Sequence, residues 1–382
     1  MLSTLTRLSC LFFFFASFTL NAEAIDCRQH QCVSVVDAGS TGSRLHIYTY
    51  DLDKTNTPIN IKELWSKKVK PGFATLETNQ ATLDAYLTIL FADAPADHLP
   101  VYFYATAGMR LLPQAKQAQR YALLKNWFAG QSQWQLRSAR TITGREEGVF
   151  GWLAVNYQLG AFSNNDKNSL GVMDMGGASV QVTFPMENTE AINHADIQEL
   201  DLYGRHLKLF THSFLGLGQN ELSHQFLDVT SCFSQNYELS TGVPATGDAY
   251  RCEGEIAVLI NAVHHVNDVV QPALKINPIE RWFVLGGVAE LTKSPPFHFE
   301  ANQFTNQALL DQAETQICQQ QWTDLSAQYP ANDFLYAYCL FPSYYYALIV
   351  EGYGLSSQQK IGYMPDNQGG DWTLGVVLYN QK

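Results

Sequence analysis

The sequence predicts an α/β protein, and two observations carry that expectation. Short β-prone runs alternate with segments of helical apolar spacing along the chain. One unusual unit also occurs twice: a β-prone run ends on Asp, turns through Gly and Ser, and resumes as a β-prone run. Its leading acids, Asp37 and Asp174, lie 137 positions apart, which is no short-period solenoid repeat. The 382 residues amount to about two domains' worth of chain.

The first element is a leader. Arg7 precedes the apolar run Leu8–Leu20, and Ala22-Glu23-Ala24 has the small-x-small pattern of a cleavage site. The run is too short to span a bilayer comfortably, so residues 1–24 read as a secretory signal peptide and the mature protein is expected outside the cytoplasm, secreted or periplasmic. No later stretch is long and apolar enough to suggest a membrane span. Of seven cysteines, Cys10 falls in the leader. The remaining six suggest three disulfides in an exported chain. Fifteen pairings are possible; joining sequence neighbours (Cys27–Cys32, Cys232–Cys252, Cys318–Cys339) is the simplest. No CxxC pair points to a metal instead.

Val33–Val36 and Leu45–Tyr50 read as strands around the turn DAGSTGSR, residues 37–44. A helical spacing follows over 79–92, then a strand at Val101–Tyr104 that runs into ATAGMR, a helix over 114–129, and a turn that starts a helix over 143–160. The polar run 161–169 is a plausible crossover between domains. Leu170–Met173 and Val180–Phe184 flank the second turn, DMGGAS (174–179). A helix over 255–270 and a strand at Trp282–Leu285 come next, and the chain ends with Tyr344-Tyr345-Tyr346 and GGDWTLGVVLYN.

Hydrophobic residues at 46% and charged ones at 16% mark a globular chain. A net charge of −12 disfavours non-specific nucleic-acid binding. It leaves room for phosphate substrates that arrive with a divalent cation. Glycines let backbone N–H groups approach phosphate closely, and Ser and Thr hydroxyls add donors. Two such turns facing each other could enclose a polyphosphate, each leading Asp aimed at a hydrated cation. Glu146 and Glu147 in TGREEG suit a helix N-terminus, and one of them placed beside a water could act as a general base. Thr106 and Arg110 could contact a water and a phosphate. Trp372, flanked by Gly369, Gly370 and Asp371, suits an exposed loop and offers a face for a nucleobase.

Together these segments resemble the apyrase conserved regions of the ecto-nucleoside triphosphate diphosphohydrolases, in family order: DAGSTGSR, ATAGMR, TGREEGVFGWLAVNY, MDMGGASVQVTF and DWTLG, with FLGLGQNEL (214–222) similar to a further segment. The short chain looks like a bacterial, secreted member. The resemblance implies a two-lobed actin-like, ribonuclease-H-like fold with the active site between the lobes: residues 25–160 plus 353–382 forming the first lobe, 161–352 the second. It implies stepwise hydrolysis of nucleoside tri- and diphosphates to the monophosphate with Mg²⁺ or Ca²⁺. The chain is expected to be a monomer and, from its acidic charge, to bind no nucleic acid. Carried over by position, Glu147 is the base. Thr106, Ser179 and Gln181 orient the water, and Asp37 and Asp174 hold the hydrated metal. Ser40, Thr41, Gly42 and Ser43 bind phosphate on one side, Gly176, Gly177 and Ala178 on the other, while Arg44 either steadies its loop or joins the phosphate contacts. Arg110 and Asn156 support the site, and Trp372 stacks the base. The second stacking ring of animal members has no equivalent at Leu285–Ala289, so Tyr344 or Tyr346 is expected to substitute, with broad base selectivity.

Overall fold

A computed structural model describes residues 27, 30–95, 98–162, 170–190, 192–365 and 371–379. The signal peptide, most of the 161–169 crossover, and Gly369-Gly370 lie outside the described residues. Twelve strands are described: β1 (Gln31–Ala38), β2 (Ser43–Leu52), β3 (Pro58–Val69), β4 (Leu99–Ala105), β5 (Trp134–Thr141), β6 (Gly171–Met175), β7 (Ser179–Pro185), β8 (Ile197–Leu202), β9 (Arg205–Leu215), β10 (Trp282–Gly286), β11 (Gln303–Thr305) and β12 (Lys360–Tyr363). They form two sheets, ordered β3-β2-β1-β4-β5 and β11-β12-β10-β6-β7-β9-β8.

The sequence echo is an echo of topology. In the first sheet β1 and β2 are antiparallel, as are β2 and β3, while β1, β4 and β5 run parallel. Setting aside β8 and β11, the second sheet repeats this with β6, β7, β9, β10 and β12. In each hairpin the Asp faces the residue seven positions on, Asp37 opposite Arg44 and Asp174 opposite Gln181. Both acids therefore stand at the C-terminal end of the central strand of an open sheet, where such sheets place ligands.

Two helices tie the halves together. Gly144–Gln158 follows β5 yet packs on β6, β7 and β9, while Thr373–Tyr379 follows the second sheet yet packs on β1, β2 and β3; the two helices also pack on each other. One buried core, including Val33, Tyr48, Phe150, Trp152, Val172 and Trp372, fills the space between. Asn156 closes the crossover: its Nδ2 donates to Trp152 O at 2.9 Å and its Oδ1 accepts from Leu170 N at 3.0 Å.

Three sequence expectations need correction. β12 pairs with β10, so the chain stays with the second sheet through Tyr363 and returns to the first only afterwards; a first-lobe segment opening at residue 353 starts too early. The helix expected over 255–270 is two helices, Ala249–Ala262 and Val266–Ile276, broken where His265 takes a left-handed conformation (φ 53°). Trp372 is core rather than loop, 4% exposed and stacked on Phe150. The disulfides Cys27–Cys32, Cys232–Cys252 and Cys318–Cys339 are all formed. No described helix is long and apolar enough to cross a membrane.

Candidate active site

The two Gly- and Ser-rich turns meet. A side chain at Gly177 would put its Cβ 2.6 Å from Ser40 Oγ and 3.3 Å from Thr41 Cγ2, so the first turn's side chains would have to shift to admit one. Gly176 and Gly177 are held from behind by the helix Gln219–Phe226, whose amides at Gln219 and Asn220 donate to their carbonyls at 3.0 and 2.8 Å. This gives the FLGLGQNEL segment a structural role. Thr106 lies alongside at the end of β4, its amide donating to Ala38 O. Ser43 and Ala178 are buried at the roots of the turns.

The adjacent acids of TGREEG divide two roles. Glu146 completes a capping box with Thr143 and takes two hydrogen bonds from Arg140, at 2.7 and 3.0 Å. Glu147, one position on, turns inward and is buried. Arg110 Nη2 donates to Glu147 Oε2 at 2.9 Å and to Ser179 Oγ at 2.8 Å, joining the first lobe's ATAGMR to the second turn. Gln181 Nε2 donates to Ser179 Oγ at 2.7 Å and to Ser213 Oγ at 3.0 Å, and its Oε1 is buried without a partner among the described residues. Replacing Glu146 by Ala should therefore cost about 1 kcal/mol of stability through the lost cap while leaving turnover per folded molecule near normal. Denaturant unfolding beside a phosphate-release assay checks both halves.

Four carboxylates share this space. Burial raises the proton affinity of Glu147, against the pull of Arg110. Burial pushes Asp37 up to about 8, with Asp371 and Glu147 adding repulsion. Asp174 is raised well above the ordinary carboxylate range by burial and by Glu147, Asp37 and Asp371. Asp371, in contrast, is held low despite its burial, because His46 sits against it. His46 Nε2 lies 2.7 Å from Asp371 Oδ2 and its Nδ1 lies 2.7 Å from Glu63 Oε1. His46 and Glu63 were missed in the sequence, since nothing local links them to a motif. Asp371 belongs to DWTLG, and its bond from Thr373 N at 2.6 Å is a legible Asp-x-Thr helix start.

The acidic set suits a hard divalent cation. Asp37 Oδ1 is buried with no partner among the described residues, and Asp37 raises the proton affinity of Asp174, a repulsion that a cation relieves. No three His, Cys, Asp or Glu side chains converge on a direct coordination site among the described residues.

Beside the acids a cleft of about 380 Å³ opens between the lobes, walled by Arg44, His46, Glu63 and Lys68 from the first and Leu285, Gly286, Ala289 and Lys293 from the second. The ring-free stretch 285–289 thus does line a cavity, but the expected stacking rings do not. Tyr344 is fully buried, its hydroxyl donating to Leu217 O. Tyr346 packs on the second lobe's core with its hydroxyl 3.5 Å from Gln307 Oε1. Trp372 is occupied by Phe150. Asn156 also lies away from the site, nine residues along the helix from Glu147, about 13 Å.

The family model described as GDA1/CD39 (nucleoside phosphatase) matches residues 24–241 and 243–382. The nucleoside-triphosphatase ntp-1 of Caenorhabditis elegans is 28% identical over 91% of this chain and 73% of its own. Ectonucleoside triphosphate diphosphohydrolase 1 of Mus musculus is 27% identical over 90% of this chain and 79% of its own. Among solved structures, the nucleoside triphosphate hydrolases from Neospora caninum superpose with a TM-score of 0.64 at 14% identity, covering 91% of this chain and 92% of that one, a likeness of fold.

Proposed function

The chain belongs to the GDA1/CD39 nucleoside phosphatase family and hydrolyses nucleoside tri- and diphosphates, and from that premise we propose that Glu147 supplies the base and that the cleft between the two turns is where hydrolysis occurs. The observation that carries this reading is the network Glu147–Arg110–Ser179–Gln181, which spans the two lobes beside facing glycine turns.

In this reading the terminal phosphate sits between Ser40–Gly42 and Gly176–Ala178, and backbone N–H groups of both turns take up its charge. The water lies in line behind it. Ser179 and the unpartnered Oε1 of Gln181 orient that water, with Thr106 at the edge. Glu147 accepts its proton as the new P–O bond forms and the bridging P–O bond breaks, releasing the nucleotide shortened by one phosphate, and burial favours that acceptance by raising the carboxylate's proton affinity. Arg110 aligns Glu147 and favours its ionised form against the effect of burial. No covalent intermediate is needed. Asp37 and Asp174 would hold Mg²⁺ or Ca²⁺ through its waters, and the ion would supply charge neutralisation at the phosphate oxygens. None of the expected rings Trp372, Tyr344 and Tyr346 lines the cleft, so the base is gripped loosely and selectivity among bases is broad. Export into an oxidising compartment accords with three disulfides.

Phosphate release from nucleoside tri-, di- and monophosphates of several bases, with Mg²⁺, with Ca²⁺ and with EDTA, tests this reading. Release from tri- and diphosphates of every base, none from monophosphates, and loss in EDTA are expected. Undiminished release in EDTA would remove the metal from the mechanism.

A further inference from the structure

We propose that Arg44, Lys68 and Lys70 form a cationic wall that binds the inner phosphates of the substrate, those between the terminal phosphate and the nucleoside; this rests on the hydrolase reading above. Arg44 and Lys68 are paired across β2 and β3. Lys68 and Lys70 flank the first turn: a Cβ at Gly42 would lie 3.4 Å from Lys68 Cε and 3.7 Å from Lys70 Cγ. Arg44 and Lys68 also line the interlobe cleft. The wall thus runs from the turn that takes the terminal phosphate into the cavity beyond it.

Three cations gathered in one place need an explanation in a chain of net charge −12. Among the described residues none of the three side chains makes a hydrogen bond or a close ion pair, although Asp37 attracts Arg44 and Lys68 electrostatically. Lys68 loses protons more readily than usual, through burial and the repulsion of Arg44 and Lys70, against the pull of Asp37 and Glu290. Lys293, on the opposite wall, differs: it lies 3.9 Å from Glu290 and over the Tyr363 ring. The nearby acids Asp37 and Glu290 offset part of that repulsion, and a polyanion held among the three cations offsets more. The wall reads phosphate, not base, so inorganic tripolyphosphate should occupy it as a nucleotide does. With the terminal phosphate in the turns, a triphosphate sets two phosphates against the wall and a diphosphate one.

The experiment compares wild type with the double variant Lys68→Gln/Lys70→Gln, its fold checked by circular dichroism. Phosphate release from ATP and ADP is measured across a salt series, and binding of inorganic tripolyphosphate is measured by calorimetry in EDTA. KM for ATP should rise roughly ten- to a hundredfold, as expected for lost charge-assisted contacts, with kcat nearly unchanged and a smaller rise for ADP. The salt dependence of kcat/KM should flatten, and tripolyphosphate binding should be lost. A folded double variant with unchanged KM, unchanged salt dependence and unchanged tripolyphosphate binding overturns the wall. Wild-type protein that binds tripolyphosphate through these lysines but releases no phosphate from any nucleotide would keep the wall and defeat the hydrolase reading instead.

Discussion

Glu147→Gln should lower ATP hydrolysis by at least about 10²-fold while the protein stays folded. The amide keeps the shape and a hydrogen bond but accepts no proton at neutral pH. The surroundings of this residue fit it to act as the base. It is buried at the start of a helix that bridges both lobes, 2.9 Å from Arg110, and the same guanidinium group reaches Ser179 at 2.8 Å. Removing the carboxylate leaves Arg110 still bonded to Ser179 and to Ile142 O, so the scaffold has no cause to collapse. Because Arg110 then lacks its buried counter-charge, a stability loss of about 1–3 kcal/mol is expected alongside, readable by denaturant unfolding. Near-normal turnover by the folded variant would make the base assignment wrong.

His46→Leu should destabilise the protein by about 3–5 kcal/mol, because it strands Glu63 and Asp371 beside one another without their shared cation. The same pair predicts a pH dependence. Burial alone would lower the proton affinity of His46, but Asp371 and Glu63 outweigh it and raise the imidazole from 6.5 to about 9. A folded-state value above the unfolded one means that the charged His46 adds stability that is fully present below about pH 6.5 and is lost as pH climbs through about 9. The difference amounts to about 3 kcal/mol. Asp37 is raised as well and contributes a slope of the same sign, so the comparison must be between wild type and variant. Unfolding free energies measured from pH 6 to pH 10 should fall more steeply for wild type than for His46→Leu. Parallel curves would refute the paired-carboxylate account of His46.

The features legible in the sequence were local ones. The strands around DAGSTGS and DMGGAS announce themselves by β-branched runs on either side of small residues, and both Asp residues stand where that pattern puts them. The neighbouring disulfides were legible because short loops close most easily. The division of labour between Glu146 and Glu147 came only from the family resemblance, because the local pattern left either acid as the base. Trp372 misled because three polar or glycine neighbours precede it, while its burial comes from Phe150, more than two hundred positions earlier. The bridge from His46 to Asp371 joins the first sheet to the last helix, and Lys68 and Lys70 matter only because β3 lays them beside Gly42; no window of sequence contains either relation.

The central claim is a single in-line attack of water on the terminal phosphorus, with Glu147 as base and no covalent intermediate. The stereochemical course of hydrolysis tests it most directly, using ATP whose terminal thiophosphate is made chiral with oxygen isotopes. One displacement predicts inversion at phosphorus. Retention would mean two displacements through a phosphorylated side chain, and would contradict the single-displacement mechanism.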